Sequence, residues 1–135
     1  MHHIALHECL RAAGPTAALA IGLFGASTGA AAALVTAAAR PDDVAVVVSR
    51  GGRPDLAGPA LPLVRAPTLL IVGGADRQVL ELNRRALEPL GAAQKRLEVV
   101  PGATHLFEEP GALDEIARLA AEWFSSYLAG DDGAG

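Results

Sequence analysis

This chain has few means of covalent or aromatic cohesion. Its 135 residues include one cysteine, Cys9. No internal disulfide can form, and a lone thiol points to a reducing compartment. Aromatic residues are 4% of the chain against 51% hydrophobic overall, so the core must be built of small aliphatics, alanine above all. Basic residues are outnumbered, 11 Lys and Arg to 15 Asp and Glu, and the formal charge is -4. No basic patch stands out, which argues against nucleic acid as a partner. The apolar content excludes a disordered chain, and the length suits one domain with one core.

The longest absence is of charge itself. No charged residue occurs from Ala12 to Ala39, a run long enough to span a bilayer. Met1 to Arg11 stands where the start of a signal peptide would stand. Against both readings, Gly14-Pro15 and Gly22, Gly25 and Gly29 interrupt the run, and Ser27 and Thr28 lie in its middle. Arg11 is the one fixed positive side chain before it, and Glu8 opposes that charge. A buried strand followed by a buried helix explains the run without a membrane. The chain is expected to be cytoplasmic, with no membrane contact.

Within that run, Ala18–Phe24 has strand length and Ala30–Ala39 is alanine-rich and helical in propensity. Between them lies Gly25-Ala26-Ser27-Thr28-Gly29, a G-x-S-x-G. A strand turning sharply into a helix at such a serine is a nucleophile elbow. The backbones pass close together there, so the positions two before and two after the serine must be nearly free of side chain. Gly25 and Gly29 occupy them. The alternative reading is an ordinary glycine-rich turn.

The rest of the chain alternates strands and helices. Met1–Ala13 reads as a helix, closed by Gly14-Pro15. Its His2, His3 and His7 lack an accompanying carboxylate cluster, so no metal is expected, and no cofactor either. Val44–Val48, Thr68–Val72 and Arg96–Val100 read as strands. Ser49–Ala66 reads as a long loop with a helical turn near Leu56. Val79–Leu87 and Ala112–Leu128 have helical periodicity, and Gly130–Gly135 is a polar tail expected to fray. The alternation specifies an α/β fold: a four-stranded parallel sheet flanked by helices.

In such sheets, sites gather beyond the carboxyl ends of the strands. Ser27, Asp76 and His105 each follow a strand, in the order Ser, Asp, His. His105 would take the proton of Ser27, Asp76 would hold the imidazole, and the Thr28 backbone N–H would donate to an oxyanion. Singly, Asp76 also reads as a helix cap and His105 as an ordinary loop residue; their convergence favours the catalytic reading. Arg50 and Arg53 leave the second strand at the same edge, as candidates either to bind an anionic substrate or to pair with Asp55 and its neighbours. Glu108 and Glu109 read as solvated acids before the last helix.

Gly22–Gly29, Leu69–Asp76 and Pro101–Phe107 resemble the three catalytic segments of dienelactone hydrolase-like α/β hydrolases. The resemblance runs from about Ile4 to Leu128 and is to the C-terminal half of that fold. It implies a partial α/β-hydrolase fold, with 1–130 as a single truncated domain and 131–135 as a disordered tail. It also implies hydrolysis of a small-molecule ester or thioester through Ser27, Asp76 and His105. Relatives of this kind often stand beside phosphoribosyltransferase domains in actinobacteria, and no such domain is expected here. Full-length members have further strands before the elbow, and a His-Gly-rich loop among them supplies a second oxyanion N–H. Nothing before Ala18 matches that loop. The chain is therefore expected to be a fragment, a short form of weak activity, or a half-domain that binds or complements a partner chain. In this arrangement Ala18–Phe24 becomes an edge strand. Apolar edges are seldom left open, so a homodimer, a partner chain, or cover by Met1–Ala13 is expected.

Overall fold

The computed structural model describes residues 21–128. The expected helix over Met1–Ala13, its cover of the edge strand, the first residues of that strand and the polar tail lie outside the described residues.

Four strands, β1 (Ile21–Ala26), β2 (Val44–Arg50), β3 (Thr68–Gly73) and β4 (Lys95–Val100), form one parallel sheet in the order β1-β2-β3-β4. Three α-helices alternate with them: α1 (Thr28–Ala39), α2 (Arg77–Leu87) and α3 (Ala112–Tyr127). The expected long loop after the second strand contains a 3-10 segment over Pro54–Leu63, with Gly58 at a kink. Pro59 and Pro62 inside that segment lack N–H donors and so prevent a regular α-helix.

The sheet has a core on each face. On one side α1, α2 and the 3-10 segment bury Leu34, Ala37, Leu61, Val64 and Ala86 against Ile21, Leu23, Val47 and Leu70. On the other, α3 buries Ile116, Ala120 and Trp123 with Val46, Val48, Ile71 and Phe107. Four alanines and one leucine are the buried residues of α1. Such short side chains let its backbone approach the sheet closely, in keeping with the alanine-rich composition.

Strand character follows burial. Every residue of β3 is buried, and its sequence, TLLIVG, is a continuous apolar run. β4, by contrast, carries Lys95, Arg96 and Glu98 at a sheet edge, the charged edge that resists unwanted strand pairing. β1 is the other edge of the described sheet, yet Ile21, Gly22, Leu23 and Gly25 are buried. Phe124 and Leu128 lie so close to Gly22 that a Cβ there would meet the Phe124 ring at 2.8 Å.

β1 and β2 each end two residues later than the sequence pattern implies. Gly25 and Ala26 extend β1, and Ser49 and Arg50 extend β2, because parallel pairing continues through Gly25–Ser49 and Ala26–Arg50. Pairing between neighbours overrides the weak strand propensity of those residues. The carboxyl ends of the strands thus finish side by side, and the loops that follow them meet.

Candidate active site

The elbow is built by backbone proximity. A Cβ on Gly25 would lie 2.6 Å from the Gly29 carbonyl oxygen and 2.7 Å from Ala30 Cα. No side chain fits between strand and helix there. Ser27 sits at the turn with φ 52° and ψ -125°, a region where a residue with a Cβ is strained. Backbone bonds hold it: Ser27 N–H donates to the Arg50 carbonyl (3.3 Å), and its own carbonyl accepts from Ala30 N–H (3.2 Å) and Arg53 N–H (3.1 Å). Thr28 is exposed and opens α1, where the first N–H groups have no intrahelical acceptor.

Asp76 and His105 come from two loops laced together. Gly74 N–H donates to Val100 O (2.8 Å) and Ala75 N–H to Ala103 O (2.9 Å). Gly73 faces the Ala103 carbonyl so closely that a Cβ could not be accommodated. His105 then lies on a tight turn: Phe107 N–H donates to Thr104 O at 3.0 Å. Phe107 takes a left-handed φ of 56°, and its side chain, 1% exposed, is driven into the core beneath.

The structure brings Ser27, His105 and Asp76 together. Ser27 Oγ is 3.1 Å from His105 Nε2, and His105 Nδ1 is 2.9 Å from Asp76 Oδ2. An ionised carboxylate only accepts, so Nδ1 must carry the proton, and in the neutral ring Nε2 is left to accept from the Ser27 hydroxyl. The Asp76 side chain is 15% exposed and that of His105 43%. Asp76 is also the cap residue of α2, but its side chain makes no capping bond and turns to His105 instead.

The two arginines part company. Arg53 makes a two-pronged pair with Asp55, Nε to Oδ1 at 3.0 Å and Nη2 to Oδ2 at 2.9 Å. Hydrogen bonding to Arg53 holds the Asp55 carboxyl below its ordinary value and raises the Arg53 guanidinium. Arg50 packs its guanidinium 6.0 Å from the centroid of the Phe107 ring.

Several contributors were hidden from sequence reasoning. Gly51, at φ 53°, lies against His105: a Cβ there would be 3.4 Å from Nδ1. Gly52 packs on Ala30, Ser49 and the Ser27 carbonyl. Asn83, fully buried on α2, donates from Nδ2 to Gly52 O at 3.0 Å and so ties that loop to the helix. Glycines directly after a strand end were the available signal for the first two; Asn83 had none, since a helical asparagine is usually exposed. Glu109 stands before the last helix as a solvent-facing acid, as expected, and its carboxylate also grips Thr104, a contact the sequence did not signal.

Among the described residues no helix is long and apolar enough to cross a membrane. No family model matches the chain. It is 60% identical over 120 residues to proteins of two Mycobacterium tuberculosis strains, CDC 1551 and H37Rv, whose names assign them provisionally as phosphoribosyl transferases. The match takes in 89% of this chain and 27% of theirs, so the chain spans about a quarter of those relatives. Among solved structures, a dienelactone hydrolase from Anabaena variabilis is 64% identical, with a TM-score of 0.77 over 79% of this chain and 49% of that one. A Paleococcus ferrophilus monoacylglycerol lipase (22% identity, TM-score 0.65, 76% of this chain and 66% of that one) shares the fold. So does an esterase domain from Rhodothermus marinus (19%, 0.70, 79% and 61%). The chain therefore carries part of the α/β-hydrolase fold and resembles the dienelactone hydrolase-like branch of that superfamily.

Proposed function

We propose that the chain is a serine hydrolase of the dienelactone hydrolase-like type, acting on ester or thioester bonds of small molecules through Ser27, His105 and Asp76. The observation that carries this reading is the continuous hydrogen-bonded line from Ser27 Oγ to His105 Nε2 and from His105 Nδ1 to Asp76 Oδ2. Ser27 Oγ attacks the acyl carbon as its proton passes to Nε2, and the carbonyl oxygen becomes an oxyanion facing the Thr28 N–H. Collapse expels the alcohol or thiol, which takes the proton back from Nε2. Water, deprotonated by the same nitrogen, then releases the acid and restores Ser27. Asp76 fixes the tautomer and stabilises the imidazolium in both halves. Arg50, stacked on Phe107 beside the Ser27 turn, is assigned to an anionic group on the substrate. Arg53, saturated by Asp55, is the weaker candidate for that role.

A second reading has one observation behind it: the nucleophile-bearing strand β1 is an edge of the described sheet and is apolar. On that reading the chain is a half-domain of weak or no activity that pairs with a partner chain or a second copy. One experiment separates the two. The purified chain and Ser27→Ala are treated with a fluorophosphonate and assayed with p-nitrophenyl acetate. Labelling at Ser27 and turnover lost in Ser27→Ala are expected. Folded chain without labelling, or equal turnover in both, would reject the hydrolase reading and leave the half-domain.

A further inference from the structure

His105 stands on a turn whose inner side is well anchored and whose outer side faces solvent. Inward, Phe107 is buried, and Ala103 O and Val100 O receive the N–H groups of Ala75 and Gly74. Outward, one side chain closes the turn. Glu109 Oε1 accepts from Thr104 N–H at 3.1 Å, and Glu109 Oε2 accepts from the Thr104 hydroxyl at 2.7 Å. The Glu109 carbonyl in turn accepts from Ala112 N–H at 3.0 Å, where α3 begins. One carboxylate thus bridges the residue before His105 to the start of the helix behind it.

We infer that Glu109 is a positioning residue: through Thr104 it fixes the turn that aims the His105 ring at Ser27 and Asp76. This rests on the serine hydrolase reading for its catalytic meaning, though not for its geometry. The reasoning is one of constraint. The imidazole must meet Oγ on one nitrogen and a carboxylate on the other, and such constellations tolerate only about 0.5 Å of drift. A ring with two side-chain torsions cannot satisfy both partners if its Cα wanders. Both oxygens of Glu109 are spent on the single residue preceding His105, which is the residue whose placement sets that Cα. The Thr104 hydroxyl bond also holds the Glu109 carboxyl below its ordinary value, consistent with an acceptor used in its charged form. Because the contact is solvent-exposed, it adds little to overall stability. Its loss should show in ring geometry rather than in unfolding.

The test compares the full chain with Glu109→Ala, Glu109→Gln, Thr104→Val and Thr104→Ser, reading melting temperature, fluorophosphonate labelling rate and the His105 side-chain 15N shifts. Glu109→Ala and Thr104→Val should leave the melting temperature nearly unchanged. They should slow labelling about tenfold, within the cost of a misplacement of order 1 Å. They should also move the His105 nitrogens from one Nδ1–H tautomer to a mixture. Thr104→Ser, which keeps the hydroxyl, should restore wild-type shifts and rate, and Glu109→Gln should fall between. Unchanged 15N shifts in both Glu109→Ala and Thr104→Val would overturn the inference, as would a large drop in melting temperature with Thr104→Ser no better than Thr104→Val. If the wild-type chain takes no label, the hydrolase reading fails alone, and the 15N comparison still decides the clamp.

Discussion

The Ser27 elbow and the His105 turn achieve placement by different means. At the elbow the constraint is backbone against backbone: strand, helix and the Gly51–Arg53 loop close around a serine held at φ 52°. At the histidine, side chains join the backbone lacing of the loops: one buried phenyl ring below and one exposed carboxylate above. In a site built this way the position of Ser27 belongs to the core, and that of His105 leans in addition on local side-chain contacts. Substitutions at the two places should therefore differ in kind.

The largest effect should come from breaking the elbow itself. In Gly25→Val the new side chain meets the Gly29 carbonyl and the Ala30 backbone, atoms with nowhere to go. A loss above about 4 kcal/mol is expected, which few single substitutions reach, and urea unfolding would read it. A loss below about 1 kcal/mol would mean the helix can slide away from the strand and that the elbow is softer than its partner turn. Next is Phe107→Ala, the matching lesion at the histidine. Removing a fully buried ring should cost about 3–5 kcal/mol and free the turn at the same time. Calorimetry with 15N shifts of His105 would show both. Stability loss with an unmoved ring would assign the aiming to contacts above the core alone.

A smaller effect tests the strain. Ser27→Gly should be more stable than Ser27→Ala by roughly 1 kcal/mol, because glycine accepts a positive φ without a Cβ penalty while alanine does not. Equal stabilities would show that the neighbouring bonds carry no strained residue. The smallest effect is in pH. Glu109 has a folded-state carboxyl below its unfolded value, with the Thr104 hydroxyl as the leading cause. Its contribution is thus present above the unfolded value, near 4.5, and is lost as pH falls below it through the folded one. The stability gap between wild type and Glu109→Gln should narrow as the solution is acidified through that window. A gap independent of pH would show that the charge on Glu109 adds nothing to the clamp.

The convergence of Ser27, Asp76 and His105 is more legible in the sequence than the contacts that support it. Ser27, Asp76 and His105 were readable because each directly follows an apolar run, and strand ends in a parallel sheet converge whatever the side chains do. Gly25 was readable because strand and helix must nearly touch. The 3-10 segment over Pro54–Leu63 reads from the sequence as a loop with one turn, since its prolines and Gly58 mask regular periodicity. The sequence pattern stops β1 and β2 short because Gly25-Ala26 and Ser49-Arg50 gain strand geometry from pairing with each other, a tertiary fact. The grip of Glu109 on Thr104 is hidden in the sequence because a solvated acid before a helix has a sufficient local explanation, the helix dipole. Its partner Thr104 lies across a turn whose shape depends on where Phe107 is buried. The Arg53–Asp55 pair was readable as one of two options because the residues are neighbours in sequence.

The lacing of the Asp76 and His105 loops has a dynamical corollary. With Gly74 bonded to Val100, Ala75 to Ala103, and Gly73 in contact with the Ala103 carbonyl, acid and imidazole ride on one raft, and thermal displacement carries them together. Ser27 is moored elsewhere, to the end of β2 through Arg50 and to the loop after it through Arg53. The 2.9 Å contact between Asp76 and His105 thus lies within one bonded unit, while the 3.1 Å contact between His105 and Ser27 spans two. On the proposed mechanism, the proton of Ser27 would cross the boundary between those two units.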